Sequence, residues 1–172
     1  MVVPLTAALI DAAIACAREV WPAAYEPILP AGQVDYMLDA RTDPSALTEY
    51  LTARDRWYDL ALPAGEVQES SGEVLGYASA RLADPQRVRL EQLYVVPRKW
   101  GTGVADLLFA AVLGHARAVG ATTVDLTVNR NNARALAYYR RNGFELSGEV
   151  VADIGGGYVM DDYVLARPVT DR

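Results

Sequence analysis

The stretch L-E-Q-L-Y-V-V-P-R-K-W-G-T-G-V-A, residues 90–105, decides how the rest of the chain is arranged. Residues 90–96 are apolar enough for a strand. Pro97 and a basic turn follow, and Gly101 and Gly103 then precede a helical pattern over 104–119. The order predicts a strand, a loop and a helix N-terminus. Such a junction binds anions: the first helical turn leaves backbone N–H groups without partners and the helix dipole adds positive charge. Two glycines let the main chain approach a phosphate closely.

Outward from this stretch, residues 88–96 are apolar on both faces apart from Arg89, Glu91 and Gln92, the profile of a central strand covered on both sides. Glu91 is the odd residue in it. In the helix over 104–119, Asp106 and Arg117 fall about 20° apart at 100° per residue, and His115 falls opposite them, so His115 should face the core as a hydrogen-bonded histidine. A strand over 122–128, a helix over 132–142 stopped by Gly143, and strands over 144–151 and 158–165 complete the second half. In the first half, residues 57–62 and 74–82 read as a hairpin around a turn-rich loop at 63–72. Before them come a short edge strand within 1–5, a helix from Thr6 that ends at Trp21-Pro22, a short helix over 33–38, and a third helix, opened by Asp43-Pro44, that runs to about residue 53.

Composition sets bounds on the chemistry. A chain of 172 residues with 52% hydrophobic and 22% charged residues suits one domain, 1–172. It has no uninterrupted apolar run of roughly 18 residues, and its first residues lack a basic segment, so a cytoplasmic location is expected, with no membrane partner. Cys16 is the only cysteine and His115 the only histidine, which excludes internal disulfides, Cys/His zinc sites and a Ser-His-Asp triad. No metal is expected, and Cys16 reads as a small core residue. Acid–base chemistry must therefore come from Tyr, Asp, Glu or the backbone. Residues 1–86 carry 5 basic and 13 acidic side chains, a balance of −8, against 11 basic and 9 acidic, +2, in residues 87–172. The second half suits an anion, the acidic first half favours a cationic partner, and the overall charge of −6 argues against nucleic acid.

Asn132 and Tyr139 lie seven residues apart on one expected helix, on one stripe roughly 10 Å apart along its axis. They can line a groove at the C-terminal ends of neighbouring strands. Here a resemblance enters. R-K-W-G-T-G-V-A (98–105) resembles the Q/R-x-x-G-x-G/A pyrophosphate motif of the GNAT N-acetyltransferase superfamily, and N-A-R-A-L-A-Y-Y-R-R-N-G-F (132–144) resembles its N-x-x-A-x-x-x-Y-x-x-x-G-F motif. The resemblance implies an α/β (α+β) fold with a mixed, mostly antiparallel, V-splayed sheet of six to seven strands and four to five helices. It implies acetyl-CoA as co-substrate, with pantetheine in the gap of the sheet. Val95 and Val96 would offer main-chain groups to the pantetheine amides. The pyrophosphate would lie on the loop of Arg98, Lys99, Trp100 and Gly101 and on Thr102, Gly103, Val104 and Ala105. Asn132 would hydrogen-bond the pantetheine arm, and Tyr139 would face the sulfur. The first third and the tail are similar to PaiA-like small-molecule and polyamine acetyltransferases.

The implied reaction is direct attack of a primary amine of a small molecule on the thioester. Freeing an alkyl amine of pKa about 10.4 at pH 7 costs roughly 4.6 kcal/mol, so a base is useful. Glu91, acting through water, is the candidate base, with an ion pair to Arg89 or Arg81 as the structural alternative. Tyr139 is the candidate acid, at roughly 2 kcal/mol to protonate a thiolate of pKa about 8.5. Tyr25, Glu26, Asp161 and Asp162 are acceptor-site candidates by position. A protein lysine or N-terminal acetyltransferase and a non-catalytic acyl-CoA-binding module are the alternatives, and monomer and homodimer are both left open.

Overall fold

The two hydrophobic periods resolve into seven strands and five α-helices among the described residues, 1–30, 32–63, 65 and 72–169 of a computed structural model. In chain order they are β1 (Val2–Pro4), α1 (Ile10–Tyr25), α2 (Gln33–Arg41), α3 (Pro44–Thr52), β2 (Arg56–Ala61), β3 (Gly76–Asp84), β4 (Arg87–Val95), α4 (Val104–Ala118), β5 (Thr123–Asn129), α5 (Ala133–Arg141), β6 (Glu145–Gly155) and β7 (Tyr158–Pro168). The strands form one sheet in the order β1-β2-β3-β4-β5-β7-β6. Every neighbouring pair is antiparallel except β4 and β5. This is the mixed, mostly antiparallel architecture expected, with β4 at its centre.

Both faces of β4 are covered, which is why its sequence lacks a polar face. On one side α4 sets Leu108, Val112 and Ala116, four residues apart, in a cluster with Val88, Leu90, Val124 and Leu126. On the other, Ala13, Cys16 and Val20 of α1 and Leu47 of α3 join Leu60, Tyr77 and Val96. Full burial of each such aliphatic side chain contributes about 1.5–3 kcal/mol. Burial pushes the Cys16 thiol up to about 12, so it is an inert core residue. His115 stacks on Trp57, with ring centroids 5.0 Å apart, and its Nε2 meets Asp59 Oδ2 at 2.8 Å. It is a hydrogen-bonded inward histidine, as its place on the helix predicts.

Two irregularities create the site. The parallel β4–β5 ladder covers Arg87–Leu90 against Thr123–Leu126 and then stops, so Glu91–Val95 and Thr127–Asn129 splay apart. The closed half is pinned by Arg89, which donates to both carboxylate oxygens of Asp125 at 2.7 Å. Opposite, the β3–β4 register jumps from Ser79↔Gln92 to Ala80↔Leu90. Glu91 is therefore the extra residue of a β-bulge, a feature that re-aims a side chain and bends its strand.

Three sequence expectations are corrected. Helix α1 runs through Pro22 to Tyr25 instead of ending at Trp21-Pro22. The proline forfeits one hydrogen bond, but Trp21 donates to the Tyr77 hydroxyl at 2.8 Å and packs with Tyr25 and Tyr94, and this packing outweighs the local preference. The first turn, Ala7–Leu9, is a 3-10 turn rather than α-helix. Helix α2 extends one turn beyond residue 38, to Arg41. The loop expected at 63–72 lies mostly outside the described residues. No described helix is long and apolar enough to cross a membrane.

Candidate active site

The splay opens into a cavity of about 780 Å³. It runs from the N-terminus of α4, between β4 and β5 and past α5, to a wall formed by α1, α2 and the β6–β7 hairpin.

At the α4 end the backbone is shaped for an anion. Gly101 and Gly103 adopt φ of 75° and 87°, the left-handed region that side chains with a Cβ disfavour. The first helical hydrogen bond runs from Leu107 N–H to Gly103 C=O. The N–H groups of Val104, Ala105 and Asp106 precede it and are left for a ligand. Lys99 lines this end, and Arg134 lies 3.3 Å over the ring of Trp100, whose indole N–H donates to the Val95 carbonyl at 2.8 Å. Desolvation lowers the Arg134 pKa from the ordinary arginine value.

The residues expected to hold the cofactor divide. Lys99, Trp100, Gly101, Gly103, Ala105, Val95, Asn132 and Tyr139 line the cavity. Arg98 does not: its guanidinium is tied to Glu73 at 2.6 Å and to Glu19, because those carboxylates reach it from β3's approach and α1. Val96 is corrected too. Its N–H donates to the Leu75 carbonyl, its C=O accepts from Lys99 N–H, its side chain is fully buried, and it does not line the cavity. By strand alternation the main-chain groups of Val95 point the other way, into the gap. Thr102 turns its hydroxyl onto the Lys99 carbonyl, and Val104 packs into the core. The Thr102 N–H also donates to the Lys99 carbonyl, so of these two only the Val104 N–H is left for a ligand.

Asn132 caps α5: its Oδ1 accepts from Ala135 N–H at 3.1 Å, which leaves its amide NH2 as a free donor toward the cavity. Tyr139, 8% exposed, is wedged edge-on between Tyr138 and Phe144, and its hydroxyl makes no hydrogen bond among the described residues. Burial, with a smaller contribution from Tyr25, pushes its pKa well above that of an ordinary phenol, so it stays a neutral donor. Glu91 lines the cavity, yet both its oxygens are engaged: Oε1 by Arg81 at 2.8 Å and Oε2 by the Tyr50 hydroxyl at 3.1 Å. The ion-pair reading is present in the structure, with Arg81 and not with Arg89.

Of the acceptor candidates, Tyr25 and Asp162 line the cavity while Glu26 is exposed away from it and Asp161 pairs with Arg130 at 2.5 Å. The Tyr25 and Tyr94 hydroxyls share a 2.7 Å hydrogen bond. Asp162 is 7% exposed, and burial, then the neighbouring Asp161, raise its pKa to about 6. Sequence reasoning missed Arg134 and Arg41. Arg134 sits at an unspecified position of the Asn132 motif, but its place in the first turn of α5 was a usable signal. Arg41 fell beyond the expected end of its helix. Among the described residues no group of His, Cys, Asp or Glu could hold a metal ion.

Comparison with known proteins agrees with this geometry. The model of the acetyltransferase (GNAT) family matches residues 21–144. The chain is 32% identical over 157 residues to an uncharacterised N-acetyltransferase of Mycobacterium tuberculosis, covering 91% of this chain and 96% of that one. It is 32% identical over 108 residues, 58% of this chain and 63% of the other, to an L-methionine sulfoximine/L-methionine sulfone acetyltransferase of Pseudomonas aeruginosa. Its fold superposes on the PaiA N-acetyltransferase of Thermoplasma acidophilum, solved in complex with coenzyme A, with a TM-score of 0.80 at 17% identity over 98% of each chain. With its two motifs on one splayed cavity and a family match over most of its length, the chain belongs to the acetyltransferase (GNAT) family, whose members use acetyl-CoA.

Proposed function

We propose that the protein transfers an acetyl group from acetyl-CoA to a primary amine of a small molecule by direct attack. The observation that carries this reading is the continuity of one cavity, from the cationic N-terminus of α4 to the unpaired hydroxyl of Tyr139 and on to the buried carboxylate of Asp162. Bound acetyl-CoA supplies the thioester carbonyl that an amine attacks. The N–H groups at the start of α4, with Lys99 and Arg134, would hold its phosphates; the Asn132 amide and the main chain of Val95 would hold its pantetheine arm. The Val95 N–H, directed into the gap by strand alternation, would polarise the thioester carbonyl, leaving the second lone pair of the Val95 carbonyl for the pantetheine arm.

Tyr139 gives a hydrogen bond, and finally its proton, to the departing sulfur. Its raised pKa makes full transfer costlier than the roughly 2 kcal/mol of an ordinary phenol, offset where the same dry surroundings raise the thiolate's basicity. Glu91, aimed into the cavity by its bulge but held by Arg81 and Tyr50, acts through an ordered water that takes the amine proton. The acceptor end is roofed. Gln33 Nε2 donates to the Val159 carbonyl at 3.1 Å and the Tyr36 hydroxyl to the Ile154 carbonyl at 3.0 Å, tying α2 to the β6–β7 hairpin. That roof favours a small acceptor over a protein segment. Thiol release from acetyl-CoA across a panel of amines, with mass spectrometry of the products, tests the reading. Turnover with a small amine is expected; turnover only with peptides, or with none of them, refutes it.

A further inference from the structure

The acceptor end of the cavity holds two opposite charges, a carboxylate with one unmatched oxygen and a guanidinium with no partner among the described residues. Asp162 on β7 is 7% exposed and lines the cavity; Thr127 hydrogen-bonds its carboxylate, but its Oδ1 has no partner among the described residues. A buried carboxylate oxygen left in that state is costly and calls for a donor. Its neighbour Asp161 is already matched by Arg130, which also reaches Glu149 at 3.3 Å, so neither supplies one.

Arg41, at the C-terminus of α2, is exposed and lines the same cavity. It makes no ion pair, hydrogen bond or ring contact among the described residues. The other arginines on the cavity wall are occupied, Arg134 on the Trp100 ring and Arg141 on that of Tyr138. Asp162 and Arg41 act on one phenol between them: the Asp162 charge pushes the Tyr25 pKa up and the Arg41 charge pulls it down, beneath a larger upward push from burial. Asp162, Tyr25 and Arg41 all line this one cavity. Met37, Ile154 and Met160 give the remaining wall apolar surface.

Resting on the acetyl-transfer reading above, we propose that this end is a zwitterion site: Asp162 receives the acceptor's ammonium group and Arg41 its carboxylate. The acceptor class is an α-amino acid, or a close analogue, with an uncharged side chain. A polyamine would set a second cation against Arg41, and a simple alkylamine would leave Arg41 unmatched. The guanidinium presents a planar fork suited to a carboxylate.

Calorimetry on the protein saturated with CoA tests this without requiring turnover. The probes are L-methionine, L-leucine and L-phenylalanine, each with its C-terminal amide, and spermidine. At least one free amino acid should bind at least about 10-fold tighter than its amide, Arg41→Met should abolish that ratio, and Asp162→Asn should weaken acid and amide alike, each by at least about 10-fold. Equal binding of every acid and its amide, tightest binding of spermidine, a ratio unchanged in Arg41→Met, or no amino acid bound at millimolar concentration overturns the proposal. An intact amino-acid preference without thiol release from acetyl-CoA supports the zwitterion site and overturns the acetyl-transfer reading instead.

Discussion

Replacing Asp162 with Asn is expected to stabilise the free protein while disabling its acceptor site. Burial and the Asp161 carboxylate raise the Asp162 pKa from an ordinary 3.8 to about 6, so the folded chain holds this proton more tightly than the unfolded chain does. The stability it contributes is complete below pH 3.8 and is lost as the pH rises through about 6. At about 1.4 kcal/mol per pH unit, the ionised carboxylate costs about 3 kcal/mol by pH 7.5. That is an upper bound, because water in the cavity solvates one side of the group. Asn keeps the shape and the contact with Thr127 but never ionises. Urea denaturation should show the variant about 1–3 kcal/mol more stable than wild type at pH 7.5, and the gain should shrink to about 0.5 kcal/mol at pH 4. For a chain of this size that is a rise in Tm of about 2–4 °C per kcal/mol at neutral pH. A variant less stable than wild type at pH 7.5, or a gain independent of pH, would refute the reasoning by showing that the ionised carboxylate is stabilised in the free protein by more than its Thr127 contact.

Three further outcomes follow from the site's construction. Glu91→Gln should lower kcat by at least about 10-fold, most at low pH where the amine is most protonated; a pH profile superimposable on that of wild type would remove its proton-handling role. Gly103→Ala places a Cβ at φ 87° and should cost about 1–2 kcal/mol of stability and raise the KM for acetyl-CoA. Since that Cβ meets no protein atom within 4 Å, an unchanged KM would show that no ligand lies against the loop. Arg89→Met leaves Asp125, 3% exposed, with only Arg87, at 3.5 Å, as an ion-pair partner among the described residues, and should destabilise by about 3–5 kcal/mol in urea. A loss below about 1 kcal/mol would mean that this pair does not pin the closed half of the sheet.

The parts of the site legible in the sequence are those fixed by local backbone demands. Gly101 and Gly103 had to be glycines for a left-handed turn before α4, and Asn132 and Tyr139 share a helical stripe whatever surrounds them. What the sequence hid depends on partners far along the chain. The neighbours of Arg98 in sequence point it at a phosphate, but its carboxylates come from residues 19 and 73. The bulge at Glu91 exists only relative to β3, so no pattern within β4 could reveal it. Asp161 and Asp162 look equivalent in sequence; strand alternation puts them on opposite faces, and only the β5–β7 register, Asn129 against Asp162, decides which of them faces the cavity. Arg41 reaches the cavity on a helix that runs one turn longer than its local pattern signals, and the packing of Trp21 and Tyr25 overrides the helix-ending preference of Pro22.

A crystal structure of the protein with CoA tests the central claim most directly. The account predicts pantetheine between Glu91–Val95 and Thr127–Asn129, the pyrophosphate on the N–H groups of Val104, Ala105 and Asp106, and the sulfur within about 3.5 Å of the Tyr139 hydroxyl. CoA bound outside the splay, or a sulfur directed away from Tyr139, would contradict it.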